Sequence, residues 1–174
     1  MCLDKDRGLK LAALAGVPSP RGAVFSAGTP EEEVAAAAER LGYPLFVKPV
    51  RAGSSFGVSR VEGPEGLAPA LEAALAHDSR VLLEEAVTGF EAGCAVLGNP
   101  GETALTVGAV DEIELSGGFF DFEEKYTLKT SAIHCPARLS PQKTAELQAA
   151  ARTVYAALDC RCFARVDFFL TEAG

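Results

Sequence analysis

The chain of 174 residues has no stretch rich in lysine and arginine, and 24 acidic against 16 basic residues leave a formal net charge of -8. Without a basic run to release counterions from a nucleic-acid backbone, the composition argues against a general nucleic-acid binder. A nucleotide pocket needs only a few local cations and stays open. No apolar run approaches the roughly 20 residues of a membrane span. Met1-Cys2-Leu3-Asp4-Lys5-Asp6-Arg7 lacks the apolar centre of a secretion signal. The expectation is a cytoplasmic protein with neither membrane nor nucleic-acid partners. The five cysteines are an odd, scattered set, and Cys160-Arg161-Cys162 has the wrong spacing for a C-x-x-C redox or zinc motif. Reduced structural thiols are expected.

What is present is 48% hydrophobic residues, enough for a sizeable core in one domain or two small ones. The most informative stretch runs from Pro44 to Val58. An apolar segment, Leu45-Phe46-Val47, delivers Lys48 and turns into Arg51-Ala52-Gly53-Ser54-Ser55-Phe56-Gly57. Glycines let a backbone approach a ligand, and free amides and hydroxyls donate to phosphate oxygens. The stretch matches neither G-x-x-x-x-G-K-[ST] nor G-x-G-x-x-G, and Gly-Ser-Ser also occurs in ordinary surface turns. Taken alone, it leaves a phosphate loop and a plain turn both open.

In chain order, Asp4 is placed to cap a first helix ending at Gly16-Val17-Pro18, with Lys5 at its start, where a cation opposes the helix dipole. Arg21 to Ser26 reads as a strand. Thr29-Pro30-Glu31-Glu32 reads as a helix start, with threonine as cap and proline in the first helical position, and the helix ends at Leu41-Gly42. The strand to Lys48, the loop to Gly57 and a return strand from Val58 to Val61 form a hairpin with the loop at its tip. A helix from Pro64 to Ala76 and a buried strand ending in Glu84 and Glu85 follow. Beyond Glu85 the sequence turns strand-rich, with strands at Phe90 to Leu97 and Leu105 to Leu115, so a subdomain boundary is expected there. Ser116 to Arg138 shows little periodicity and is expected to be a long aromatic loop, with His134 an ordinary loop histidine and His77 a helix-end one. Ser140-Pro141 opens a helix with Leu147, Ala151, Val154, Tyr155 and Leu158 on its apolar face. In the last strand, Phe163 to Leu170, period two puts Arg165 and Asp167 on one face.

Together, Asp4-Lys5, Val47-Lys48-Pro49, Gly53-Ser54-Ser55-Phe56-Gly57, Glu84-x6-Glu91, Glu124-Lys125-Tyr126 and Arg165-Val166-Asp167 resemble the D-alanine:D-alanine ligase family of ATP-grasp enzymes. The order and separations match across nearly the whole chain. Cys2-Leu3-Asp4-Lys5, Ala95-Val96-Leu97-Gly98-Asn99 and Cys160-Arg161 bring the resemblance closest to the vancomycin-resistance branch. Glu124 to Ser131 looks like the G-type D-alanine:D-serine ligases in particular.

The resemblance implies an α+β ATP-grasp fold, with a small central subdomain over residues 1–84 and a C-terminal one over 85–174, and ATP between two antiparallel sheets. It implies a ligase that phosphorylates the carboxylate of D-alanine, after which the amine of a second substrate, D-serine or D-alanine, attacks the acyl phosphate. By residue, it makes Lys5, Lys48 and Lys125 phosphate contacts and Glu84 and Glu91 adenine and ribose contacts. Gly53 and Ser55 belong to the phosphate loop, and Ser54 and Tyr126 link that loop to the active-site loop over the substrate. Arg165 stabilises the oxyanion, and Asp167 holds magnesium (Mg2+). Lysines suit phosphates as point charges, while carboxylates suit an amino group and ribose hydroxyls. Without the resemblance each acid reads as a solvated strand end and Arg165-Asp167 as a surface ion pair.

The family's remaining metal ligands, in a Glu-x-Asn motif, would follow Gly174, and its D-alanine-binding domain would precede Met1. A chain cut short, unable to ligate by itself, is therefore expected, from a full-length homodimer. A nucleotide-binding module without ligase chemistry is the alternative.

Overall fold

The computed structural model describes residues 2–99, 101, 105–115 and 131–171. It divides into two compact units, Met1–Lys10 with Ser19–Ala86, and Leu11–Pro18 with Val87–Gly174. Among the described residues no helix is long and apolar enough to cross a membrane.

The first unit holds β1 (Gly22–Ser26), α2 (Glu31–Leu41), β2 (Leu45–Pro49), β3 (Ser59–Val61), α3 (Leu67–Leu75) after a 3-10 turn, and β4 (Arg80–Glu85). Its sheet is antiparallel in the order β1-β4-β2-β3. Alternation sorts β2 cleanly, with Leu45, Val47 and Pro49 buried and Phe46 and Lys48 on the other face. Leu45, Val47 and Leu83 pack with Val34 of α2 and Ala70 and Ala74 of α3 into one core. Because Phe46 pairs with Glu84 and Lys48 with Leu82, the face away from these helices carries both Lys48 and Glu84.

α1 (Lys5–Leu14) begins as expected, since Asp4 Oδ1 accepts the Arg7 amide at 3.0 Å. Thr29 does not cap α2. Its hydroxyl donates back to the Ser26 carbonyl at 2.9 Å, and Pro30 takes the cap position, so the helix starts one residue later than expected.

The second unit holds β5 (Phe90–Leu97), β6 (Thr106–Leu115), β7 (Ser131–His134), α4 (Pro141–Ala157) and β8 (Phe163–Leu170), with the antiparallel sheet order β7-β6-β5-β8. Ser140 caps α4 by accepting the Lys143 amide at 3.2 Å. Leu147, Ala151 and Tyr155 of this helix pack on Cys94, Val96 and Val110. The expectation of an irregular segment to Arg138 is corrected at its end, because Ser131 to His134 form an edge strand against β6. Four residues are too few for a period to register in sequence, and the partner strand supplies the order.

Candidate functional site

In the first unit, β2 ends where Lys48 and Glu84 meet in an ion pair, their side chains 17% and 11% exposed. The Lys48 ammonium also lies 5.6 Å from the Phe46 ring centroid. Lys5 approaches from the start of α1. Its ammonium donates to the carbonyls of Pro49 at 3.0 Å and Ala52 at 2.7 Å, and its amide donates to Val50 at 3.0 Å. Burial lowers the Lys5 pKa from its ordinary value, and the Lys48 charge lowers it further, while Glu84 acts in the opposite sense. Asp78 and Asp4 act in the same sense as Glu84, with smaller effect. The nearby acids are committed elsewhere, Asp78 to Arg51 at 3.1 Å and Asp6 to Arg80 at 2.8 Å.

The loop after β2 turns through two bonds, Phe56 N–H to Gly53 O at 3.1 Å and Val58 N–H to Ser55 O at 3.2 Å. Ser54 and Ser55 adopt positive φ of 50° and 59°, a region that costs non-glycine residues energy and recurs at ligand-binding turns. Gly57 is required twice over: its φ is +67°, and a Cβ there would meet His77 Cδ2 at 2.6 Å. At Gly53 a Cβ would meet nothing within 4 Å, so the loop's backbone is open to approach on that side.

In the second unit, register aligns Asp111 of β6, Gly93 of β5 and Asp167 of β8 in one row across the sheet. Arg165 lies over Gly93. Its Nε donates to Asp167 Oδ1 at 2.6 Å and its Nη1 to Asp111 Oδ2 at 2.6 Å. Burial alone would lower the Arg165 pKa, but the hydrogen bond and charge of Asp167, with the charge of Asp111, carry it upward. Glu91 shares this face, opposite Phe169. The structure therefore brings Lys5, Lys48, Glu84 and the Gly53 to Gly57 loop together in one unit, and Arg165 and Asp167 together in the other. Lys125 and Tyr126 lie outside the described residues. Gly93 and Asp111 escaped the sequence reading, because only strand register shows that they neighbour Arg165.

On the opposite face of the second sheet, Glu112, Glu114 and His134 come close enough to resemble a metal site. That reading fails on charge, since Arg138 already occupies it. The Arg138 Nε donates to Glu112 Oε2 at 2.9 Å and its Nη2 to Glu114 Oε2 at 2.8 Å, and His134 Nε2 meets the same Glu114 oxygen at 2.8 Å. The side-chain hydrogen bond from Arg138 holds the Glu112 pKa below its ordinary 4.5.

Two antiparallel sheets, the first packed on α2 and α3 and the second on α4, make up the ATP-grasp fold. The family model described as D-ala D-ala ligase C-terminus matches residues 11–174, and the chain belongs to the D-alanine:D-alanine ligase family. It is 43% identical to a putative D-alanine--D-lactate ligase of Streptomyces coelicolor, over 100% of this chain and 49% of that protein. It is 42% identical to the vancomycin/teicoplanin A-type resistance protein VanA of Enterococcus faecium, over 100% of this chain and 50% of that protein. The crystal structure of the VanG D-Ala:D-Ser ligase from Enterococcus faecalis superposes with a TM-score of 0.87 at 50% identity, covering 99% of this chain and 50% of that one. The chain thus spans about half the length of the relatives it matches.

Proposed function

We propose that this chain is the nucleotide-handling part of an ATP-dependent D-alanine:D-X ligase of peptidoglycan precursor synthesis, joining D-alanine to D-serine or a second D-alanine. Its central and C-terminal ATP-grasp subdomains are taken as 1–84 and 85–174, close to the two compact units except that Leu11–Pro18 groups with the second. The observation that carries the reading is the pair of cations at the end of β2, where Lys5 and Lys48 converge beside an open glycine loop and Glu84 is the foremost of the acids that offset them. Such an arrangement favours an anionic ligand.

ATP supplies the phosphoryl group that converts the D-alanine carboxylate into an acyl phosphate, from which the amine of the second amino acid displaces phosphate. Lys5 and Lys48 hold nucleotide phosphates against the loop of Gly53, Ser54 and Ser55, and Lys125 adds a further contact. Glu84 and Glu91 accept from the adenine amino group and the ribose hydroxyls. Tyr126 acts with Ser54 in closing the site against water. Arg165 donates to the oxyanion that develops on the attacked carbonyl.

Magnesium, when bound, neutralises charge on the phosphates. Its fit rests on Asp167, whose side chain is 72% exposed and meets Arg165 through a single oxygen. One carboxylate with phosphate oxygens is an ordinary magnesium environment. Dimerisation and a cytoplasmic location belong to the same proposal.

The test is calorimetric titration with a non-hydrolysable ATP analogue and magnesium. Lys48→Ala and Lys5→Ala should each weaken binding by about tenfold or more, the loss of one charge-assisted contact of roughly 1.5–3 kcal/mol. Lys10→Ala, at an exposed lysine paired with Asp6, should not. Equal affinities for all four proteins would overturn the reading.

A further inference from the structure

Arg165 sits in a seat that the proposed chemistry does not explain. A Cβ at Gly93 would fall 2.2 Å from Arg165 Nη2 and 2.5 Å from Cζ, so only glycine at that position lets the guanidinium lie flat across β5. Across the strand it reaches Asp111, whose side chain is 18% exposed against 72% for Asp167. Asp111 Oδ2 takes Nη1, while its Oδ1 is buried with no hydrogen-bond partner among the described residues. A buried carboxylate left half satisfied costs stability. A carboxylate with one oxygen buried and unsatisfied, aimed at one guanidinium, is placed for that group.

We propose that Asp111 is a positioning residue: with Gly93 it fixes the guanidinium of Arg165 over the sheet, leaving Asp167 free to exchange Arg165 for a metal ion. The two carboxylates divide the work by exposure. Asp167 contacts Nε from the more exposed side and can turn to another cation, whereas Asp111 holds Nη1 from across β5 whatever Asp167 does. Were Asp167 the sole anchor, engaging a metal would release the arginine at the moment an oxyanion needs its donors in place. The value of the seat for catalysis rests on the ligase reading, but the seat itself does not.

Nuclear magnetic resonance of the arginine side chains tests it on the chain as it stands. In the wild type, slow rotation should keep the Nη signals of Arg165 separate. Asp111→Ala should merge them, and Asp111→Asn, which keeps an acceptor, should restore them in part. Asp167→Ala should move only the Nε–H signal. Amide signals of Cys94, Val96 and Val110 report whether the sheet is intact, and if Asp111→Ala does not fold, Gly93→Ala and Asp111→Asn are read instead. Unchanged Nη signals without the Asp111 carboxylate, or equal loss in Asp167→Ala, would overturn the proposal.

In ATP turnover with D-alanine by the ligase carrying this chain, Asp111→Ala should lower kcat by about a hundredfold, as for a group displaced by about an ångström, with KM for ATP unchanged. Retained kcat would sink the positioning role and leave the ligase reading intact. The expected Arg165 signals in a protein that never turns over ATP would sink the ligase reading and leave the seat intact.

Discussion

The two sheets carry their charged faces in opposite ways. In the first unit Lys48 and Glu84 are enclosed, and neither can leave without stranding the other. In the second, Arg165 is 42% exposed and Asp167 72%, so their contact can be given up cheaply. A buried pair suits recognition of a ligand in a fixed place, because its geometry is set before the ligand arrives. An exposed pair suits chemistry in which partners change. The second unit does contain a pair with one buried member, Glu112 with the exposed Arg138, but on the helix-covered side of its sheet, where it ties β6 to the segment before α4.

The sharpest break of this comparison is Lys48→Ala. Removing one member of a largely buried pair should destabilise the protein by about 3 kcal/mol, read as a lower urea midpoint. A midpoint equal to the wild type would show that the pair is not held as described.

Next comes Glu112→Gln, which should cost about 1–2 kcal/mol near neutral pH, the value of a hydrogen bond to a charged partner. The folded pKa of Glu112 lies below the unfolded one, so its contribution is complete above about pH 4.5 and is lost as pH falls through the folded value. The stability gap between wild type and variant should therefore be flat at neutral pH and close in acid. A gap that widened in acid would reverse the assignment.

The smallest effect is expected for Asp167→Asn, under about 0.5 kcal/mol in stability, as for exposed ion pairs. The same variant should abolish the gain in nucleotide affinity that magnesium confers. A large loss of stability, or an undiminished magnesium effect, would move Asp167 out of its proposed role.

Much of this architecture was legible from local pattern. The apolar run up to Lys48 and the Gly-Ser-Ser turn located the first hairpin, and period two placed Arg165 and Asp167 on one face. Thr29 misled because a strong capping residue had a nearer acceptor in the Ser26 carbonyl. His134 and its strand were missed because β7 exists through pairing with β6 rather than through any periodicity of its own. Gly93 could have been noticed as a glycine inside a strand pattern, a sign of close approach by another group. What approaches it was not readable, since Arg165 lies 72 residues further along the chain.

The sequence by itself determined most of the elements, the shared face of Arg165 and Asp167, and membership of a ligase family, because these follow from periods of two and 3.6 and from ordered short motifs. Tertiary structure alone decided which charges meet. It joined Lys48 to Glu84 rather than to solvent, turned Lys5 onto the carbonyls of Pro49 and Ala52, and brought Asp111 to Arg165 across β5. Register between strands distant in sequence sets those pairings, and register depends on how whole sheets and their helices pack.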